Sequence, residues 1–199
     1  PEEINRALIS RIADYHFAPT QTAVENLSKE NVTKNVWMVG NTVIDALFES
    51  INIFGNGNEA KYKEFFSFLD FSKKIILVTG HRRESFGKPL SSICSALKEL
   101  ANRFEDVQIV YPLHLNPHVE LPVKKLLKNI DNIFLLEPIT YPYLIWLMKN
   151  SYLVITDSGG LQEEAPALNK PVLVIRDVTE RMEGIKAGTA KLVGTKKSN

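Results

Sequence analysis

The sequence predicts an α/β fold, a doubly wound parallel sheet with helices on both faces. Two observations predict it. From residue 74 onward, apolar runs of strand length alternate with segments of helical periodicity, at spacings suited to right-handed crossovers. The runs, such as Tyr152-Leu153-Val154-Ile155, are continuously apolar, as strands buried on both faces are.

Residues 2–14 read as a helix, because Ile4, Leu8, Ile9 and Ile12 share one face. A short extended piece, Tyr15–Ala18, precedes a helix that Thr20 opens and that ends near Lys29. Asn35–Val39 is the next strand, and Gly40-Asn41-Thr42 punctuates it before a helix over Val43–Glu49. Asn52–Asn58, with two glycines and three asparagines, is expected to be a loop. The regular part follows: strand Ile75–Thr79, helix Pro89–Arg103, strand Val107–Tyr111, helix His118–Leu127, strand Asn132–Leu136 and helix Tyr141–Lys149. Strand Tyr152–Ile155, helix Leu161–Leu168, strand Pro171–Ile175 and a last strand, Lys191–Val193, complete it. The tail Lys196–Asn199 is expected to fray.

The 24 Lys and Arg against 23 Asp and Glu leave a formal net charge of +1, which gives no sign of a nucleic-acid partner. No apolar run reaches membrane-spanning length, and no signal peptide is visible. Cys94 lies in the apolar helical pattern Ile93–Leu97 and is read as core. A lone cysteine excludes an internal disulfide, which fits the cytoplasm. The chain opens on Pro1 rather than Met, as a fragment or processed chain would.

In doubly wound sheets ligands bind beyond the carboxyl ends of the strands, which singles out four loops. The most informative is Thr156-Asp157-Ser158-Gly159-Gly160-Leu161-Gln162-Glu163-Glu164. Its glycines let a ligand approach the backbone, and the first N–H groups of a helix favour a diphosphate. Ser158 can add a hydroxyl donor. Glu164, one turn beyond Gly160, could accept both hydroxyls of a ribose diol. The same residues also suit a plain turn in which Asp157 or Ser158 caps the helix.

Thr79–Gly87 carries His81, Arg82 and Arg83, all able to donate to phosphate oxygens, and Glu84 could hold one of these guanidiniums. His81 could also carry a proton to or from a departing phosphate. The alternative is a solvated charged loop. In Tyr111–His118, His114 and Asn116 could face the same cleft, while His118 is read as a surface residue at a helix start. His114 and His118 lack the further ligands a zinc site needs. In Arg176–Glu183, Arg181 could close over a diphosphate with Glu180 and Glu183 orienting it, or the charges could form an intrahelical ladder. Met182 and Trp146 are read as core.

Taken in order, Pro1-Glu2-Glu3-x-Asn5-Arg6, Gly40-Asn41-Thr42-Val43-Ile44-Asp45, Thr79-Gly80-His81-Arg82-Arg83-Glu84, Pro112-x-His114-Leu115-Asn116-Pro117 and Asp157-Ser158-Gly159-Gly160-x-Gln162-Glu163-Glu164-Ala165 are distinctive. With Lys170-Pro171-Val172-Leu173 and Thr179-Glu180-Arg181, they resemble the bacterial non-hydrolysing UDP-N-acetylglucosamine 2-epimerases over essentially the whole chain.

The resemblance implies the second Rossmann-like domain of a GT-B architecture. Residues 1–40 would be a remnant of the first Rossmann-like domain, and 41–199 a UDP-binding domain incomplete at its carboxyl end. It implies interconversion of UDP-N-acetylglucosamine and UDP-N-acetylmannosamine by elimination and re-addition of UDP, with no cofactor or metal. Glu2 and His81 would be catalytic; Arg6, His81, Ser158, Gly159, Gly160, Glu164 and Arg181 would bind substrate. Pro138–Leu144 would lie near the uracil, and Arg82 and His114 match an activating second nucleotide-sugar site. A homodimer is implied at full length. This chain alone is expected to bind UDP without turnover. A GT-B glycosyltransferase and a non-catalytic UDP-binding remnant are the alternatives.

Overall fold

A computed structural model describes residues 2–55 and 59–197, and its contacts gather into two compact units, Pro1–Glu49 and Ser50–Asn199. The first unit holds α1 (Glu2–Ile12), β1 (His16–Ala18), α2 (Gln21–Lys29) and β2 (Val36–Met38). α3 (Thr42–Gly55) begins in it and ends in the second. β1 and β2 pair in parallel, with Phe17 opposite Trp37. Thr20 caps α2 as its sequence position suggests: its hydroxyl accepts the Ala23 N–H at 3.2 Å. The apolar face of α1 is present but exposed, Ile12 at 81%. Asn52–Gly55, expected as loop, continue α3. Residues 56–58 of that expected loop lie outside the described residues.

In the second unit, α4 (Glu59–Phe65) precedes β3 (Lys74–Thr79), α5 (Lys88–Arg103), β4 (Val107–Pro112), α6 (Pro117–Leu127) and β5 (Ile133–Leu136). The chain continues through α7 (Tyr141–Lys149), β6 (Leu153–Thr156), α8 (Leu161–Ala167), β7 (Val172–Val174), α9 (Met182–Lys186) and β8 (Ala190–Leu192). The six strands form one parallel sheet in the order β5-β4-β3-β6-β7-β8. The order reverses between β3 and β6, which opens a crevice above their carboxyl ends.

β3 shows why continuous apolar runs make such a sheet. Ile75, Ile76, Leu77 and Val78 are all buried, and Leu77 sits in register with Val110 of β4 and Val154 of β6. Alternate residues serve opposite faces. Ile76, Val78, Ile109 and Tyr111 pack in one cluster with Leu90, Ile93, Cys94 and Leu97 of α5 and Val119 and Val123 of α6. Burial pushes the Cys94 thiol up to about 11, so it is a core side chain rather than a thiolate. An aromatic cluster joins α4 and the turn after it to α7: Phe66 stacks on Trp146 at 5.3 Å, and Tyr62 meets the Tyr143 ring edge-on at 4.9 Å.

α4 and α9 were not expected from periodicity. Met182 is 42% exposed rather than core, because α9 is a single short turn of helix. The tail differs as well. The Lys197 N–H donates to Ser92 Oγ at 2.9 Å and its ammonium lies 2.8 Å from Glu99, so the chain is held to α5 at Lys197, while residues 198 and 199 of the expected fraying tail lie outside the described residues.

Candidate functional site

β3 and β6 are neighbours at the switch point, so the loops that follow them meet there. Thr79 and Thr156 sit in register at the strand ends and share a hydroxyl–hydroxyl hydrogen bond of 2.6 Å. The Ser158 N–H donates to Thr156 Oγ1 at 2.9 Å, which starts the turn. Asp157, wholly buried, turns under the neighbouring loop. Its Oδ2 accepts the N–H groups of His81 and Arg82, each at 2.8 Å. The carboxylate therefore holds the backbone of the β3 loop and does not cap α8. Tyr111 adds a second anchor by donating its hydroxyl to Gly80 O at 2.9 Å. A Cβ on Gly80 would stand 3.0 Å from that hydroxyl, so a larger residue would press the Tyr111 tip away. Gly87, at φ +77°, lets the loop turn into α5.

The Ser158–Gly160 turn is braced from the other side. Gln162 donates to Ser158 O at 3.1 Å and accepts the Thr179 hydroxyl at 2.6 Å; both side chains are buried. Thr179 in turn accepts the Arg181 N–H at 3.2 Å. This chain of bonds brings Arg181 back to the turn. Its guanidinium lies on Gly159, where a Cβ would stand 2.8 Å from Cζ. The carboxylates that orient it are Glu163, at 2.9 Å from Nε, and Glu180; Glu163, not Glu183, completes the pair. Burial disfavours the Glu180 carboxylate, but its own backbone N–H and the Arg176 and Arg181 charges together hold its carboxyl below the usual range.

Glu84 does not hold Arg82 or Arg83. It lies 3.2 Å from Arg176 Nε, and Arg176 also reaches Glu180 at 3.0 Å, so ion pairs run from the β3 loop to the Arg181 loop. Glu84 and Arg83 fall in a single turn of 3-10 helix, Arg83–Ser85.

Glu164 is 6% exposed and accepts the Tyr141 hydroxyl at 2.7 Å. Burial first, and then the Glu164 carboxylate, push the Tyr141 phenol up, so it stays a donor. Tyr141 is the first residue of α7, within the stretch Pro138–Leu144.

His81 stands over Asp157, with its ring stacked at 5.3 Å and 8° on that of His114. Residues from two separate sequence segments thus form one pair. The His114 ring is fixed through Nδ1, which accepts the Asn116 N–H at 3.1 Å. Asn116 does not reach into the crevice but caps α6 through the His118 N–H, and His118, exposed at the helix start, stacks on Phe86. Among the described residues, no three His, Cys, Asp or Glu side chains are placed to hold a metal ion, and no helix is long and apolar enough to cross a membrane.

Glu2 and Arg6 belong to the first unit, on α1. Glu2 is exposed, and the Arg6 guanidinium is held between Glu3 and Glu30, each at 2.5 Å. Two residues with clear structural work, Gln162 and Thr179, carried no assigned role in the sequence, and Asp157 was offered there only as a helix cap. Their signal was membership of the strand-end motifs, but their partners are remote in the chain.

The arrangement offers two loops of donors facing a crevice, a guanidinium seated on a glycine turn and a carboxylate one helical turn further on. A relative from Yersinia pestis, a UDP-N-acetylglucosamine 2-epimerase, is 54% identical over 198 residues, covering 98% of this chain and 53% of its own length. The crystal structure of UDP-GlcNAc 2-epimerase from Neisseria meningitidis bound to UDP-GlcNAc superposes with a TM-score of 0.94 at 44% identity, covering all of this chain and 54% of the other. The S. aureus MnaA–UDP structure gives 0.88 at 44% identity, covering all of this chain and 53% of the other. The chain spans about half the length of the curated relatives it matches. Its Rossmann-like sheet is that of the second domain in the GT-B architecture. With the family model for UDP-N-acetylglucosamine 2-epimerase matching residues 1–199, the chain belongs to that family.

Proposed function

We propose that this chain is the UDP-binding portion of a non-hydrolysing UDP-N-acetylglucosamine 2-epimerase. The observation that carries this is the Arg181 guanidinium lying on Gly159, opposite the His81 loop, at the sheet's switch point. A diphosphate placed there meets the turn's N–H groups and a guanidinium already oriented by two carboxylates. The relatives solved with UDP-GlcNAc and with UDP support the choice of ligand. In this reading Ser158, Gly159, Gly160 and Arg181 bind the diphosphate and Glu164 the ribose. His81 contacts the departing phosphate. Residues 1–40 close a first Rossmann-like domain, and 41–199 form most of the second.

The reaction then follows from the chemistry of the ligand. Loss of the C2 proton and cleavage of the C1–O bond send an electron pair onto the β-phosphate, giving UDP and 2-acetamidoglucal. Protonation of C2 from the opposite face and return of the phosphate oxygen to C1 give the epimer. Charge that develops on the β-phosphate is met by Arg181 and His81, and a firmly held UDP is positioned to return. Glu2 has a catalytic role and Arg6 a substrate-binding one in the complete enzyme. Arg82 and His114 belong to an activating nucleotide-sugar site, and the stacking of His114 on His81 supports its lying beside the catalytic one. The enzyme works as a cytoplasmic homodimer that supplies polysaccharide synthesis. Neither nicotinamide nor metal enters the chemistry.

Full-length protein incubated with UDP-N-acetylglucosamine in heavy water is expected to place deuterium at C2 of the recovered sugar nucleotide, read by mass spectrometry. A GT-B glycosyltransferase would leave that carbon protiated, and a non-catalytic remnant would leave substrate unchanged. The 199-residue chain by itself is expected to bind UDP without turnover.

Gly159→Ala tests the Arg181 placement. The residue's φ lies outside the left-handed region, so alanine fits the backbone, but its Cβ would displace the guanidinium from the turn. Thermal unfolding is expected to stay close to that of the parent, while the dissociation constant for UDP rises about tenfold, for a loss of about 1.4 kcal/mol.

A further inference from the structure

Asp157 is wholly buried, yet only half of its carboxylate is used. Oδ2 accepts the His81 and Arg82 N–H groups; Oδ1, also buried, has no hydrogen-bond partner. An anionic oxygen left unpaired away from water is costly, and such atoms are rare in folded proteins. The polar group facing it is the His81 imidazole: Nδ1 lies 3.6 Å from Oδ1, within ion-pair reach and longer than a hydrogen bond. Catalytic hydrogen bonds are often long in the free enzyme and tighten when ligand binds. The His114 ring, nearly parallel at 5.3 Å, restrains the plane in which the His81 ring can turn.

A neutral imidazole carries one proton, and a partner at one nitrogen decides where it sits. A carboxylate can only accept. We propose that Asp157 is a positioning residue that holds the His81 imidazole in its Nδ1–H tautomer, leaving Nε2 as the nitrogen that works on the ligand. Neutral, Nε2 offers a lone pair. Protonated, it donates N–H to a phosphate oxygen while the Asp157 charge lies beside the other edge of the imidazolium. The phosphate part of this role rests on the epimerase reading; the tautomer does not.

The test is nitrogen-15 NMR of the 199-residue chain at alkaline pH, where imidazoles are neutral, with His81→Gln identifying the His81 ring signals. Two-bond proton–nitrogen correlations are expected to show Nδ1 protonated and Nε2 bare. Asp157→Asn keeps one oxygen for the two backbone N–H groups but turns an NH2 donor toward Nδ1, so the proton is expected to move to Nε2. An Nε2–H tautomer in the parent chain overturns the proposal, as does an unchanged tautomer in a folded Asp157→Asn variant. Should that variant fail to fold, the parent spectrum alone decides. UDP titration into the same samples separates the two ideas: loss of UDP binding with the Nδ1–H tautomer intact sinks the function and leaves the Asp157–His81 pair standing.

Discussion

Replacing Glu164 with alanine is expected to weaken UDP binding to this chain about 100-fold. A ribose diol presents two hydroxyl donors, and each hydrogen bond to a charged acceptor contributes about 1.5 kcal/mol or more, so losing both costs about 3 kcal/mol. The geometry sharpens the expectation. Tyr141 already occupies Glu164 Oε1 and holds the carboxylate in place from a different helix, so the acceptor is pre-oriented before ligand arrives. The loss is therefore expected in affinity rather than in folding: Tyr141 is 40% exposed, and water can take its hydroxyl in the variant. Calorimetry on parent and variant checks the affinity, and circular dichroism checks the fold.

Asp157→Ala is expected to have the largest effect on stability, about 2–3 kcal/mol in urea denaturation. The mechanism is local. It removes a buried acceptor of two backbone N–H bonds, at His81 and Arg82, and leaves both donors without a protein partner. Hydrogen exchange gives a site-specific check. The amides of residues 81 and 82 are expected to lose protection, while those of β4 and α5 keep most of theirs. Uniform loss of protection across the sheet would show that Asp157 supports the whole domain and not the β3 loop in particular.

What could be read from the chain follows from the physics of each element. The central strands β3 and β6 were legible because burial on both faces makes them continuously apolar, and β3 with its four consecutive buried residues is the plainest case. Thr20 was legible as a helix opener and caps α2, whereas Asn116, assigned to the crevice, caps α6 instead. α4 was missed because Tyr62 and Phe66, spaced one turn apart, sit among lysines and phenylalanines and are buried by the distant α7. α9 spans five residues, too few for a period to show. Asn52–Gly55 has loop composition yet continues α3, a case of context overriding propensity.

The site divides in the same way. The residue types that suit a diphosphate lie in one contiguous turn, so Ser158, Gly159 and Gly160 could be singled out from order alone. The bonds that position them run across long separations: Asp157 to residues 81 and 82, Gln162 to Thr179, Arg176 to Glu84. Sequence order carries no information on which acidic residue meets which arginine. Glu84 was accordingly assigned to the wrong guanidinium, and Glu183 was named where Glu163 serves.

The most direct test of the central claim is calorimetric titration of UDP into the 199-residue chain, with Glu164→Ala alongside. Saturable one-to-one binding that weakens about 100-fold in the variant is the predicted result. A folded chain that takes up no UDP, or binds it equally well without Glu164, would contradict the assignment of the nucleotide site to these residues.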